Sequence, residues 1–484
     1  MTQLAMSWID GRWTPAGSGA KAQSVNPGTG EVLGEFADAG LIEAEAAIAA
    51  ARRVFDSGPW RHRPRVRAQV LLEAADLLEA AKPQLAWDLS RENGKLIRDC
   101  MHEIAGAVSE LRYYAGLARN IFGRTIELDR NLHAMLAREP VGVVGIIVPW
   151  NAPVTLLVRS LAPVLAAGCT AIVKAAPQTA LINSKVFELI AGIEALPAGA
   201  VNMLVETGND VSKQLVASPG VDMVSYTGST EVGKQIMEAA AKTLKRLNLE
   251  LGGNAPCVVF ADADLDHAAA GIVRANLSHA GQVCVAASRV IAHRSIAGEL
   301  ESKLAERLRA VKLGFADDPS TELGPLIDKP SRERIRRLVM ASKEDAEVVV
   351  EGVDAGGLLA AGAFLSPSLV RLRDSRSPLV TDEVFGPVMS VQSFDDEAEA
   401  IDKANDSRFG LAASVWSKDL RLAQRAAMSI RSGSVWINGH MRLFPEVETG
   451  GYRESGIGRL HGVEGLEAFL QTKAVTWDLG AVEE

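Results

Sequence analysis

The run Val141-Gly142-Val143-Val144-Gly145-Ile146-Ile147-Val148-Pro149-Trp150-Asn151-Ala152-Pro153 decides the fold class. Its β-branched core, Val143 to Val148, is apolar on consecutive positions and ends at a proline, as a strand buried on both faces does. Three further runs of this kind follow at Thr170 to Val173, Val201 to Leu204 and Met223 to Tyr226. Turns and helical patterns separate them, which is the texture of a parallel sheet with helical crossovers. A nucleotide site is compatible with such a sheet.

Upstream, the stretch from Leu41 to Ala118 repeats apolar residues at three-to-four spacing, clearest in Ala44 to Phe55 and Val66 to Leu78, and predicts a helical layer. Thr125 to Leu128 and His133 to Ala137 alternate enough to predict a small projecting sheet. Downstream, Cys257 to Phe260, Ala287 to Ala292, Glu347 to Val350, Val388 to Val391 and Ser434 to Ile437 predict a second α/β domain. The tail segment Lys473 to Trp477 reads as a strand able to dock elsewhere, a neighbouring subunit included.

Bulk properties set the frame. A chain of 484 residues exceeds what one hydrophobic core serves, so two or more domains are expected. Hydrophobic residues at 48% and charged residues at 23% match ordinary globular usage. The formal charge of −9, without a dense Lys/Arg stripe, argues against nucleic acid or an anionic membrane and for a small-molecule partner. No apolar stretch reaches the length of a bilayer span. The first ten residues lack a basic segment leading into an apolar one, so no secretory signal is expected. Cys100, Cys169, Cys257 and Cys284 show no CxxC spacing, which points to a reducing compartment and the cytoplasm rather than to disulfides or zinc. The eight histidines lack metal-ligand spacing, and no metal is expected.

Several short motifs carry chemistry. Gly281-Gln282-Val283-Cys284-Val285-Ala286-Ala287-Ser288-Arg289 presents one thiol, flanked by the apolar bulk of Val283 and Val285. Cysteine needs only a modest local push to act as a nucleophile, although a lone Cys is more often inert core filling. Glu250-Leu251-Gly252-Gly253 places a carboxylate beside two glycines, with room for a water on which it would act as general base. Asn151, between Trp150 and Pro153, holds an amide N–H suited to an oxyanion hole, or simply to loop backbone groups. Thr227-Gly228-Ser229-Thr230 opens a helical pattern and suits a phosphate at a helix N-terminus, without being the GxGxxG fingerprint. Lys174 ends a strand, and Glu383-Val384-Phe385-Gly386-Pro387 adds a carboxylate and an aromatic at a turn.

Together, Pro149-Trp150-Asn151, Gly228-Ser229-Thr230, Glu250-Leu251-Gly252-Gly253, Gly281-Gln282-Val283-Cys284 and Glu383-Val384-Phe385-Gly386-Pro387 resemble the NAD(P)-dependent aldehyde dehydrogenase superfamily. Their order and spacing match over nearly the whole chain. The resemblance implies a Rossmann-like parallel-sheet nucleotide-binding domain (1–120 and 141–252), an α/β catalytic domain (253–452) and a small β oligomerisation element (121–140 and 468–484). It implies attack by Cys284 on an aldehyde carbon, an oxyanion held by Asn151 and the Cys284 N–H, and a thioester hydrolysed by water that Glu250 activates. For the cofactor it implies ribose contacts at Lys174 and Glu383, pyrophosphate at Gly228 and Ser229, and a cleft lined by Trp150 and Phe385. A homodimer or homotetramer is implied. Coenzyme A as thioester acceptor is the enzymatic alternative, disfavoured by the presence of Glu250; a non-catalytic protein on the same fold is the other.

Two departures bear on specificity. Many NAD-preferring members carry a Glu three residues after the strand-end lysine, where this chain has Pro177, so NADP as well as NAD is expected to serve. Arg159 falls where many members place an aromatic residue, and Arg442 lies in the loop Gly439 to Glu446. Both suggest a polar or carboxylate-bearing aldehyde.

Overall fold

The computed structural model describes residues 3–344, 346–373 and 376–480. Positions 1, 2, 345, 374, 375 and 481–484, which belong to the expected ranges 1–120, 253–452 and 468–484, lie outside the described residues.

Five parallel strands, Arg246–Glu250, Met223–Thr227, Val143–Ile147, Thr170–Ala175 and Val201–Val205, form the centre of an eight-stranded sheet in that spatial order. Every position of Val143–Ile147 is buried. Alternation along that strand explains how: Val144 and Ile146 join the core shared with the helices α2 (Pro64–Asn93), α3 (Ile97–Leu117) and α4 (Pro153–Ala167), whereas Val143 and Ile147 face α1 (Leu41–Ser57). The parallel reading therefore holds for the centre. Antiparallel edges extend it, with Ser7–Ile9 and Arg12–Thr14 on one side and Gly456–Ile457 on the other.

A seven-stranded sheet follows, ordered Ala346–Val350, Ser368–Leu372, Val388–Phe394, Ala287–His293, Ala255–Val259, Ala412–Trp416 and Ser434–Ile437. Its first strand is antiparallel to the second and the remaining pairs are parallel. Two of these strands escape the sequence reading. Ala412–Trp416 has alanines and a serine where β-branched residues would announce a strand, and only its wholly buried place in the sheet makes it one.

Leu470–Asp478, Leu132–Pro140 and Arg124–Asp129 make a separate three-stranded antiparallel sheet, with the last strand exposed along its whole length. A further small sheet of Gln3–Ala5, Val32–Ala37 and Lys21–Val25 has no counterpart in the sequence reading. Among the described residues no helix is long and apolar enough to cross a membrane.

Candidate active site

Three neighbouring parallel strands end side by side, and the residues just beyond them form one wall of a cavity of about 310 Å³. Val143–Ile147 leads to Trp150 and Asn151, Met223–Thr227 to Gly228 and Ser229, and Arg246–Glu250 ends on Glu250 itself. The second sheet supplies the facing wall: Cys284 precedes the strand Ala287–His293, and Glu383 and Phe385 precede its neighbour Val388–Phe394. Ligand sites form in this way beyond the carboxyl ends of parallel strands. The structure thus gathers eight of the sequence-selected residues.

Cys284 is half-buried, in the loop after the turn Ser278–Gly281. His279, Ala280 and Gly281 all have positive φ (46°, 53° and 75°), and a Cβ on Gly281 would stand 2.2 Å from the Gly386 carbonyl. Two successive non-glycine residues in the left-handed region hold backbone strain, which persists only where surrounding structure imposes it. Phe385, also at positive φ (52°), meets Trp150 edge-to-face at 5.7 Å.

The glycines of Glu250-Leu251-Gly252-Gly253 are there for close approach. A Cβ on Gly253 would lie 2.4 Å from the Cys284 carbonyl, and one on Gly252 would lie 2.5 Å from a Glu383 carboxylate oxygen. The Gly253 N–H donates to the other Glu383 oxygen at 3.1 Å. One backbone turn therefore positions the base candidate, the thiol loop and the second carboxylate.

Burial dominates the electrostatics. It pushes the Cys284 thiol up to about 12, with Glu383 adding to the rise and Arg159 opposing it. The thiol is protonated at neutral pH. Burial likewise lifts Glu250 to about 7 against the pull of Arg159 and Arg459, and Glu383 to about 7 against the Gly253 N–H, Arg334 and Arg408. Both carboxylates can change protonation state near neutrality.

Asn151 is buried, and its amide donates to the Gln282 carbonyl at 2.9 Å. Ser229 caps the helix Thr230–Ala240, its hydroxyl accepting from the Val232 N–H at 3.4 Å. Lys174, Arg159 and Arg442 do not line the cavity. Lys174, next to last in its strand, is part-buried, and burial lowers its ammonium pKa against the opposing pull of Glu206. Arg159 is buried and donates to the Thr227 hydroxyl at 3.0 Å. Arg442 is exposed, with its carbonyl taking the Trp436 indole N–H at 3.0 Å.

Sequence reasoning missed the group that anchors the Trp150-Asn151 loop. Asn93 donates to the Trp150 carbonyl at 2.7 Å and Lys95 to the Asn151 carbonyl at 2.9 Å. Lys95 also forms a buried ion pair with Glu103, whose second oxygen accepts the N–H groups of Val154 (2.9 Å) and Thr155 (3.2 Å). The available signal was Glu92-Asn93-Gly94-Lys95, polar residues around the left-handed glycine that ends α2. Arg334 was also missed; it lines the cavity and donates to the Val384 carbonyl at 2.7 Å.

Two α/β sheets whose strand ends enclose a thiol, an amide and two buried carboxylates define a class, that of two-sheet α/β enzymes with a cleft at the strand ends. The model of the aldehyde dehydrogenase family matches residues 13–475, and the chain belongs to that family, enzymes that oxidise aldehydes. It is 37% identical to the phenylacetaldehyde dehydrogenase of Pseudomonas fluorescens, over 96% of this chain and 94% of that protein. It is 36% identical to the betaine aldehyde dehydrogenase of Bacillus subtilis, over 97% and 96%. The solved betaine aldehyde dehydrogenase of Staphylococcus aureus in complex with NAD+ superposes with a TM-score of 0.96 at 35% identity, covering 99% of this chain and 96% of that one.

Proposed function

We propose that Cys284, Glu250 and Asn151 carry out the oxidation of an aldehyde to its carboxylic acid, with NAD or NADP as acceptor. The convergence of these three residues on one cavity carries the reading. Cys284 attacks the carbonyl carbon as thiolate, its proton passing to a base, and Glu250 with a pKa of about 7 is suited to take it through water. The Asn151 amide and the Cys284 N–H face the charge that develops on the carbonyl oxygen. A nicotinamide dinucleotide supplies hydride acceptance. Glu250, having released the thiol proton to solvent, then takes a proton from the water that attacks the thioester and returns it to the departing sulfur, which releases the acid and restores the thiol.

The residues present fit a dinucleotide. Gly228 and Ser229 stand at the N-terminus of an 11-residue helix, where N–H groups and the helix dipole favour phosphate. Glu383 and Lys174 are the partners for ribose hydroxyls, and Trp150 with Phe385 forms the aromatic side of the cleft. Pro177 in place of a carboxylate leaves NADP admissible. The ranges 1–120 with 141–252 serve as nucleotide-binding domain and 253–452 as catalytic domain. The exposed strand Arg124–Asp129 and the tail strand suit assembly into a homodimer or homotetramer, in the cytoplasm. A polar or carboxylate-bearing aldehyde is the substrate class that the exposed Arg442 would favour.

The test is absorbance at the reduced-nicotinamide band with aliphatic, aromatic and carboxylate-bearing aldehydes, each with NAD and with NADP. Turnover by the native chain and none by Cys284→Ser is the expected result. Trapped acyl-enzyme in Glu250→Gln would support the hydrolytic step. Turnover surviving in Cys284→Ser would reject the scheme.

A further inference from the structure

Arg159 is the one arginine of α4, a helix otherwise almost wholly apolar and buried. Its Nη2 donates to the Thr227 hydroxyl at 3.0 Å. Thr227 is the register partner of Glu250 on the adjacent parallel strand. α4 and two strand ends thus set the guanidinium on the hydroxyl of the strand beside Glu250, without a direct ion pair between Arg159 and Glu250. The Arg159 Nε and the Glu250 Oε1 are both buried and have no hydrogen-bond partner among the described residues. A guanidinium does not give up its proton in a protein, and a buried charge is tolerated when an opposite charge compensates it.

Arg159 approaches from α4 and Arg459 from the segment beyond Gly456–Ile457, while the Cys284 thiol, Glu383 and Arg334 belong to the same cavity. Arg459 is engaged by the carbonyls of Gly458 (2.7 Å) and Gly451 (3.4 Å). Among the described residues Arg159 makes one hydrogen bond, to Thr227, and its Nε has no partner.

We propose that Arg159 is a positioning residue: pinned by Thr227, it is the internal counter-charge that opposes burial and favours the ionised form of Glu250, the form able to take a proton from water. This assigns Arg159 to the base rather than to a substrate carboxylate, and it rests on the reading of Glu250 as that base. The consequence is an acid limb of the pH–rate profile set by Arg159 whatever the aldehyde.

The experiment follows kcat from about pH 5 to about pH 9 for the native enzyme, Arg159→Met, Arg159→Lys, Thr227→Val and Glu250→Gln, on a neutral and a carboxylate-bearing aldehyde. Arg159→Met is expected to move the acid limb up by about one pH unit, roughly a tenfold loss at the acid end, equally for both aldehydes. Arg159→Lys keeps the native position, and Thr227→Val shifts the limb the same way by less. An unmoved limb in Arg159→Met, with loss confined to the carboxylate-bearing aldehyde, overturns the proposal in favour of a substrate contact. Should Arg159→Met fail to fold, an unmoved limb in Thr227→Val overturns it equally. The Glu250→Gln arm separates the two layers: an acid limb that persists there rejects Glu250 as the base, whereas its disappearance leaves the Arg159 variants to decide.

Discussion

The side-chain amide of Asn151 donates to the main-chain carbonyl of Gln282 at 2.9 Å, two residues before Cys284. A carboxamide has two N–H donors, so this bond orients the group and leaves one donor for a substrate oxygen. Asn151→Ala is therefore expected to lower kcat by about 10²- to 10³-fold with little change in stability. Steady-state kinetics and thermal unfolding of the same preparation check both halves.

Lys95 and Glu103 hold that loop from behind. Removing one member of a buried ion pair leaves the other uncompensated, at a cost of about 3–5 kcal/mol. Lys95→Met should show that loss in urea unfolding together with a reduced kcat, since the Asn151 carbonyl loses its donor. Lys95→Met with Glu103→Gln should recover part of the stability and little of the rate.

Gly253→Ala would set a methyl group 2.4 Å from the Cys284 carbonyl, a backbone atom that cannot swing aside. We expect the thiol loop to be displaced, with about 1–3 kcal/mol lost and kcat lowered at least about tenfold. Thiol labelling of Cys284 should change rate in the variant. An unchanged labelling rate and kcat would show that the loop absorbs the methyl group.

Glu250 titrates near 7 in the folded chain against 4.5 unfolded, so the native state binds its proton more tightly between those values. The stability this proton confers is whole below about pH 4.5 and is lost as pH rises through about 7. Glu250→Gln removes the dependence. Its stability relative to native should improve by about 1–3 kcal/mol from the acid to the alkaline side of that window, measured by urea unfolding at each pH.

Pro177→Glu tests cofactor choice. With the adenosine ribose at Lys174 as proposed, a carboxylate at 177 would repel a 2′-phosphate, so the variant should lose NADP-linked turnover and retain NAD-linked turnover. The native enzyme should accept both; a strong native preference for NAD would show that another group already excludes the phosphate.

How far the sequence could be read depended on where the physical signal resides. Val143–Ile147 advertises burial because it carries no polar side chain. Arg246–Glu250, the strand that delivers Glu250, does not: Arg246, Asn248 and Glu250 break the apolar run, and it is a strand because it lies between Met223–Thr227 and Gly456–Ile457. Cys284, Glu250, Asn151 and Glu383 were legible because each stands in a motif of unusual local composition. Asn93, Lys95 and Glu103 were not, since their partners lie some 50 residues away and no short window contains both ends of the contact.

By itself, the sequence determined the family, the central parallel strands, and the thiol, carboxylates and amide on which chemistry would rest, because these follow from local pattern and motif order. Tertiary structure alone decided their relations. It buried Arg159 against the Thr227 hydroxyl, left Arg442 exposed, and recruited a distant ion pair to hold the Asn151 loop. Burial is the physical reason: desolvation sets the protonation of Cys284, Glu250 and Glu383, and it exists only once the two sheets close around them.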